Sequence, residues 1–323
     1  MWSETAMILV TGAGGFLGRH LVAHLLAAGA DVVPLYRGLK MSMERQRWEA
    51  DLTNPQHMLG LKEYAKTPHT VVHLAGRIEI SLVPNPASVS LPPVPGFEDV
   101  SSIYSANVVS TAHILQYCLQ KGVRHLIFAS SQTVYGMPAC DVITEETPCE
   151  PLEHYAASKL CAEHLLEIGA RQGLAVTVLR FPGLYGGDRR EGVVYGFCRS
   201  ALEKKSIAVK ADIPLPLDVI HVSDVVDSME KAVSFNGHQW RCLNIATGES
   251  CSLNILADSI AELVPGCTVH VSGVPQPIVR MDSSKARLAL GWQAVPRRER
   301  LSAVIEDVHN EFRVPEHKEA WHA

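Results

Sequence analysis

The sequence predicts an α/β chain built on a doubly wound parallel sheet, with a smaller mixed part towards the C-terminus. Two observations predict it. Short apolar runs alternate with amphipathic helical stretches through the first half, the pattern of parallel strands covered by helices on both faces. The turn after the first run is dense in glycine, as a tight strand-to-helix passage requires.

Each element has its own warrant. Met7–Thr11 is a short apolar run ending at glycines, which reads as a buried strand. Phe16–Ala28 places Leu17, Leu21, Val22, Leu25 and Leu26 on one helical face, and Gly29 stops it. Asp31–Tyr36, Thr70–Ala75, His125–Ser130 and Ala175–Phe181 read as further strands. Ser102–Lys121 and Glu153–Gln172 read as helices between them. The second half is less regular. Val193–Lys205, Ser223–Ser234, Ser252–Val264 and Ser283–Leu290 read as helices, with Ser223 as a cap. Pro214–His221 reads as extended, and Leu243–Ile245 as a short strand. The segment Arg77–Phe97 carries Pro84, Pro86, Pro92, Pro93 and Pro95, so it is neither central sheet nor helix interior. It reads as a surface loop, placed where it could cover a site.

Composition narrows the function classes. The 323 residues are 47% hydrophobic and 20% charged, the balance of an ordinary globular chain. A net charge of −5 without a basic stripe disfavours nucleic acid as a partner. The one dense basic cluster, Arg297, Arg298 and Arg300, reads as a solvated helix start. The 8 cysteines form no C-x-x-C pair and no histidine pair has zinc-finger spacing, so no metal site is expected and a reduced, cytoplasmic chain is. No apolar stretch is long enough to span a bilayer, and the start lacks the pattern of a signal peptide.

Gly12, Gly15 and Gly18 form G-x-x-G-x-x-G between the first strand and the first helix. A dinucleotide demands this arrangement. The turn needs positive φ, the backbone must approach a pyrophosphate, and the helix must pack close to the strand. The N–H groups at the helix start, from Phe16 and Leu17 onwards, then face the anion. Glycines also mark plain turns, but here they follow a strand and open an amphipathic helix. Tyr155 and Lys159 stand at i and i+4 on a predicted helix and so share a face. An ammonium beside a phenol favours the phenolate and makes it a better proton carrier near neutrality.

Together these motifs resemble the extended short-chain dehydrogenases/reductases, the family of sugar-nucleotide epimerases and dehydratases. The stations are TGAGGFLG at 11–18, DLTN at 51–54, HLAG at 73–76, Asn107 in SANVVST, SSQTVYG at 130–136 and YAASK at 155–159. LRFPGLYG at 179–186, VIHVSDV at 219–225, LNIATGE at 243–249 and DSSKARLALGW at 282–292 complete the series. The resemblance covers nearly the whole chain. It implies a Rossmann-type domain of residues 1–181 and 215–246 and a substrate-binding domain of 182–214 and 247–323. It implies catalytic roles for Ser131, Tyr155 and Lys159, with Lys159 also gripping the nicotinamide ribose. It places Asp51 and Leu52 beside the adenine, and Leu74, Ala75 and Gly76 along the pyrophosphate and ribose. Asn107 and Pro182 belong to the same cofactor site, and a homodimer through the helices at 102–121 and 153–172 is expected.

Departures from the family pattern sharpen the reading. The end of the second strand carries Tyr36 and Arg37 where an acid would hold the ribose. Arg37 would welcome a 2′-phosphate, so NAD(P) is the expected cofactor, with NADP favoured. Arg37 is equally readable as an ordinary exposed loop residue. Gln132 and Thr133 replace the acidic pair of the 4,6-dehydratases, which disfavours elimination of water. Gly183 and Leu217 stand where the family often has an asparagine and an arginine that contact a nucleotide diphosphate. Arg189, Arg190 and Arg280 are candidates to compensate. The expected activity is epimerase or ketoreductase chemistry at a hydroxyl or ketone carbon of a nucleotide sugar. An NADPH-dependent reductase of a smaller ketone or aldehyde is the rival. A non-catalytic cofactor-binding regulator is the reading from another class, and retention of Ser131, Tyr155 and Lys159 argues against it.

Overall fold

The computed structural model describes residues 6–44, 47–63, 66–78, 97–210, 218–234, 240–274 and 278–313. The prolines from Pro84 to Pro95 and Leu217 lie outside the described residues, as does most of the expected extended run from Pro214.

Among the described residues the main sheet has eight strands. Their spatial order is Trp240–Asn244, Ala175–Phe181, His125–Ser131, Thr70–His73, Ile8–Thr11, Val32–Tyr36, Arg47–Glu49 and Ser42–Glu44. All neighbours run parallel except the last pair, which is antiparallel. Register aligns the strand ends. Thr11 stands beside Leu35 and His73, and Ser131 stands beside Phe181. The glycine loop, the Tyr36 turn, Leu74–Gly76, Ser131 and Pro182 therefore leave the sheet along one edge, where open α/β sheets bind ligands.

The central strands are largely apolar because both faces are covered. Ile8, Val10, Val72, Ile127 and Leu179 face the helices Phe16–Ala27 and Val222–Val233. Leu9, Val71, Leu126, Phe128, Val176 and Val178 face the helices Pro55–Glu63, Ser110–Lys121 and His154–Arg171. Strand period two sends alternate residues to opposite layers. A separate core gathers Cys198, Ala201, Ile207, Val209, Leu256, Ile260, Leu301 and Val308 from the C-terminal elements. There the helix Gly192–Lys204 packs with the helix Leu253–Ala261 and the parallel strands Ser206–Lys210 and Thr268–Ser272.

Three local expectations are corrected. The helix Val222–Val233 is capped by His221, whose Nδ1 accepts the Ser223 N–H at 3.2 Å. Burial pushes His221 down to about 4, so its neutral ring keeps an acceptor nitrogen in the place of a serine cap's hydroxyl oxygen. The helix expected at Ser102–Lys121 contains a π-helical turn, Ser105–Val109, which carries Asn107. Arg297 is not solvated. It is 3% exposed, donates to Asp218 Oδ1 at 3.4 Å and to the carbonyls of Ser250 and Glu249 at 3.1 Å, and starts the helix Arg297–Arg313. Arg300 grips Asp224 in a bidentate pair at 2.7 and 3.0 Å, and only Arg298 of the cluster is exposed. The burial follows from the partners: Asp218 is buried too, and a buried charge needs an opposite one.

Candidate active site

Backbone geometry explains the glycines. Gly12 has φ +69°, and a Cβ there would stand 2.6 Å from the Ala75 nitrogen. A Cβ on Gly18 would overlap the Gly12 carbonyl oxygen. Gly15 begins the helix Phe16–Ala27 with no side-chain cap and no acid in the first turn, so no protein group competes there for an anion. A Cβ on Gly76 would stand 2.8 Å from Asn107 Oδ1. The cradle is thus shaped by absent side chains, and it fits a dinucleotide pyrophosphate.

Asn107 spends its polar atoms on the protein. Its Oδ1 accepts the Arg77 N–H at 2.7 Å, and its Nδ2 donates to the Arg77 carbonyl at 3.0 Å and to Ser158 Oγ at 2.8 Å. It locks the chain just after Gly76. His73, which the motif reading passed over, lies fully buried between Thr11 Oγ1 (2.7 Å) and Thr111 Oγ1 (3.1 Å). Burial, and then the Lys159 charge, push it down to about 3, so it is a neutral bridge.

At the end expected to hold the adenosine, Asp51 Oδ1 accepts the N–H and hydroxyl of Thr53 at 2.9 and 2.7 Å. Burial raises its pKa, but the Thr53 bonds and the charges of His57 and Arg37 bring it below the ordinary carboxylate value. Leu52 is buried and its carbonyl meets His113 Nδ1 at 2.7 Å. Arg37 is exposed. Sequence reasoning missed Arg47 and Glu49, which the hairpin strand brings alongside. Arg47 stacks 4.4 Å over the Tyr36 ring and donates Nε to Glu49 at 2.9 Å. Tyr36 pairs in register with Glu49. Only the alternation of Arg47, Trp48 and Glu49 hinted at a strand there.

The structure brings Ser131, Tyr155 and Lys159 together. Ser131 ends the strand His125–Ser131, and Thr133 donates to its Oγ through N–H at 3.2 Å and through hydroxyl at 3.0 Å. Tyr155 and Lys159 lie in the helix His154–Arg171, 6% and 5% exposed. Lys159 Nζ donates to the Ala129 carbonyl at 2.8 Å and sits 5.9 Å from the Tyr155 ring centroid. Burial pushes the Tyr155 phenol up to about 12, against a lowering hydrogen bond from Ser131, and the Glu153 charge raises it further. Burial pushes Lys159 down to about 8, opposed by Glu163. The protein groups alone therefore leave Tyr155 a firm phenol. Behind it, one helical turn beyond Lys159, Glu163 takes Arg180 at 2.6 and 3.1 Å, and Ser130 bonds the same carboxylate. Arg180 also donates to Tyr135 Oη at 2.8 Å. This buried network fixes the helix against the strand ends.

Pro182 follows the strand Ala175–Phe181 at the same edge, and Gly183 beside it is exposed. A Cβ at Gly183 would meet only ordinary contacts, 3.5 Å from the Asp218 carbonyl. Among the described residues no cluster of His, Cys, Asp or Glu could hold a metal ion, and no helix is long and apolar enough to cross a membrane.

Comparison with known proteins identifies the family. The model of the NAD dependent epimerase/dehydratase family matches residues 8–246. The UDP-glucose 4-epimerase of Mycolicibacterium smegmatis is 30% identical over 306 residues, covering 88% of this chain and 92% of that protein. The structure of MoeE5 in complex with UDP-glucose and NAD is similar at a TM-score of 0.76 and 30% identity, over 95% of this chain and 100% of that one. RMD from Pseudomonas aeruginosa, solved with NADPH, is similar at a TM-score of 0.72 and 26% identity, over 95% of this chain and 100% of that one. The chain belongs to the NAD dependent epimerase/dehydratase family.

Proposed function

We propose that this family member is an NAD(P)-dependent epimerase or ketoreductase acting at a hydroxyl or ketone carbon of a nucleotide-activated sugar. The observation that carries the reading is the convergence of Ser131, Tyr155 and Lys159 on the sheet edge that holds the glycine cradle. A nicotinamide cofactor held there by the glycine cradle would supply the hydride chemistry. Tyr155 exchanges a proton with the sugar oxygen, and Ser131, held by Thr133, donates a hydrogen bond to that oxygen. Lys159 binds the ribose and, once it turns from the Ala129 carbonyl towards the phenol, lowers the Tyr155 pKa. Gly12, Gly15, Phe16, Leu17, Gly18, Leu74, Ala75, Gly76 and Pro182 line the cofactor track, and Asp51 and Leu52 its adenine end. Asn107 supports the track from behind. Residues 1–181 and 215–246 form the cofactor unit in this reading, and 182–214 with 247–323 the substrate unit.

NADP is favoured over NAD because Arg37 and Arg47 both stand at the adenosine end. The UDP-sugar ligands and sugar-nucleotide names of the relatives support a nucleotide sugar as substrate. Gly183 favours the second reading, a reductase of a smaller ketone, since no side chain there reaches for a diphosphate. Incubation with UDP-glucose and with GDP- and dTDP-sugars separates the two. An epimerase isomerises its substrate without net cofactor turnover, whereas a reductase consumes NADPH with its ketone. Tyr155→Phe is expected to lower turnover by about 1,000-fold with cofactor affinity kept. Unchanged turnover would overturn the mechanism.

A further inference from the structure

We propose that Arg189 is a cationic ligand for the cofactor's pyrophosphate, delivered onto the glycine cradle by the loop after the strand Gly183–Tyr185. The inference rests on the cofactor reading above. Three fixed points seat this loop, two against the first helix and one against His221. Asp188 takes Arg19 in a bidentate pair at 3.0 and 2.7 Å, and His20 Nε2 meets the same carboxylate at 3.0 Å. Gly187, at φ +59°, lies so close to His20 that a Cβ would stand 2.7 Å from its ring. Gly186, at φ +85°, lies against His221, where a Cβ would overlap the ring. A longer or bulkier loop would lift away from the helix. With those anchors set, the Arg189 guanidinium stands 5.5 Å from the ring centroid of Phe16, the first residue of the helix Phe16–Ala27.

The local charges leave Arg189 available. Arg19 is neutralised by Asp188, and Arg190 pairs with Glu311. Arg189 donates Nη1 to the Leu184 carbonyl at 3.2 Å and meets Glu191 at 3.2 Å. The Glu191 side chain is 75% exposed, so that pair is weak and readily exchanged. Arg189 Nε is buried and has no hydrogen-bond partner among the described residues. No acid stands in the first turn of the helix to compete for it. An arginine with a spare buried N–H beside an anion cradle suits a diphosphate, which accepts charge-assisted bonds in a fork geometry. Because the loop belongs to the segment that leads into the C-terminal core, the same contact would tie that segment to cofactor occupancy.

A diphosphate could come from the cofactor or from a nucleotide sugar, and the test separates them. NADH, NADPH and UDP are titrated separately, by nicotinamide fluorescence and by calorimetry, into the full chain, Arg189→Gln and Arg189→Lys. Thermal unfolding of each variant checks the fold. The expected result is that Arg189→Gln weakens NADH and NADPH alike by about tenfold, since both carry the pyrophosphate, with UDP unchanged. Arg189→Lys should fall between, keeping the charge without the fork. Loss of UDP binding alone would overturn the assignment to the cofactor. Unchanged binding of all three in a folded variant would overturn the proposal itself. Failure of the unaltered chain to bind either nicotinamide would instead overturn the cofactor reading on which it rests.

Discussion

The reactive end and the adenosine end of the proposed cofactor track are built on opposite principles. At the reactive end Tyr155 and Lys159 are almost wholly buried, and the surrounding polar groups are bonded to the protein. Gly76 there, like Gly12 and Gly18 in the cradle between the two ends, admits no side chain. At the adenosine end Arg37 is exposed and Arg47 lies on Tyr36 at the surface, paired with a neighbouring Glu49. The difference teaches where a change in this protein is costly. A buried end is set by backbone approach and packing, which admit few alternatives. An exposed end is set by side-chain charge, which solvent screens and single substitutions retune.

The contrast can be broken most sharply at Gly18. Gly18→Ala drives a methyl into the Gly12 carbonyl, where only backbone can yield. It is expected to cost about 2 kcal/mol of stability and more than tenfold in NADPH affinity. A urea melt and a fluorescence titration read both, and retention of both would show that the cradle is softer than its contacts imply.

A pH series sharpens the contrast next. His73 is pushed down to about 3, and His125 and His221 to about 4, in each case first by burial. Groups held neutral in the fold but protonated when unfolded add stability above the unfolded value near 6.5, and that stability is lost as pH falls towards the folded values. The unfolding free energy read from urea melts should therefore fall between pH 6.5 and 4, by about 1 kcal/mol or more in total. A flat profile would show that these rings accept protons in place.

The smallest expected effect lies at the exposed end. Arg37→Ala should weaken NADPH binding by about two- to fivefold, more at low salt, and leave NADH unchanged. Equal loss for both cofactors would remove Arg37 from any role in discrimination.

Much of the site was legible before any coordinates. Gly12, Gly15 and Gly18 declare a backbone need that no other residue meets, and Tyr155 with Lys159 declares a shared helical face. Such signals are local, because they follow from φ, from period and from adjacency along the chain. Arg297 was misread for the opposite reason. A basic cluster at a helix start is solvated unless an acid is buried against it, and Asp218 lies far away in sequence. Arg47 on Tyr36 and His73 between two threonines share that origin. Each depends on a partner from another strand or helix.

Sequence by itself thus determined the doubly wound sheet, the glycine turn and the candidates for the reactive groups. Tertiary structure alone decided which charges are buried, which face the cofactor track, and how the loop at Arg189 comes to lie on the first helix. The physical reason is range: dihedral preference and periodicity act over a few residues, whereas desolvation and charge pairing depend on everything that folding brings near.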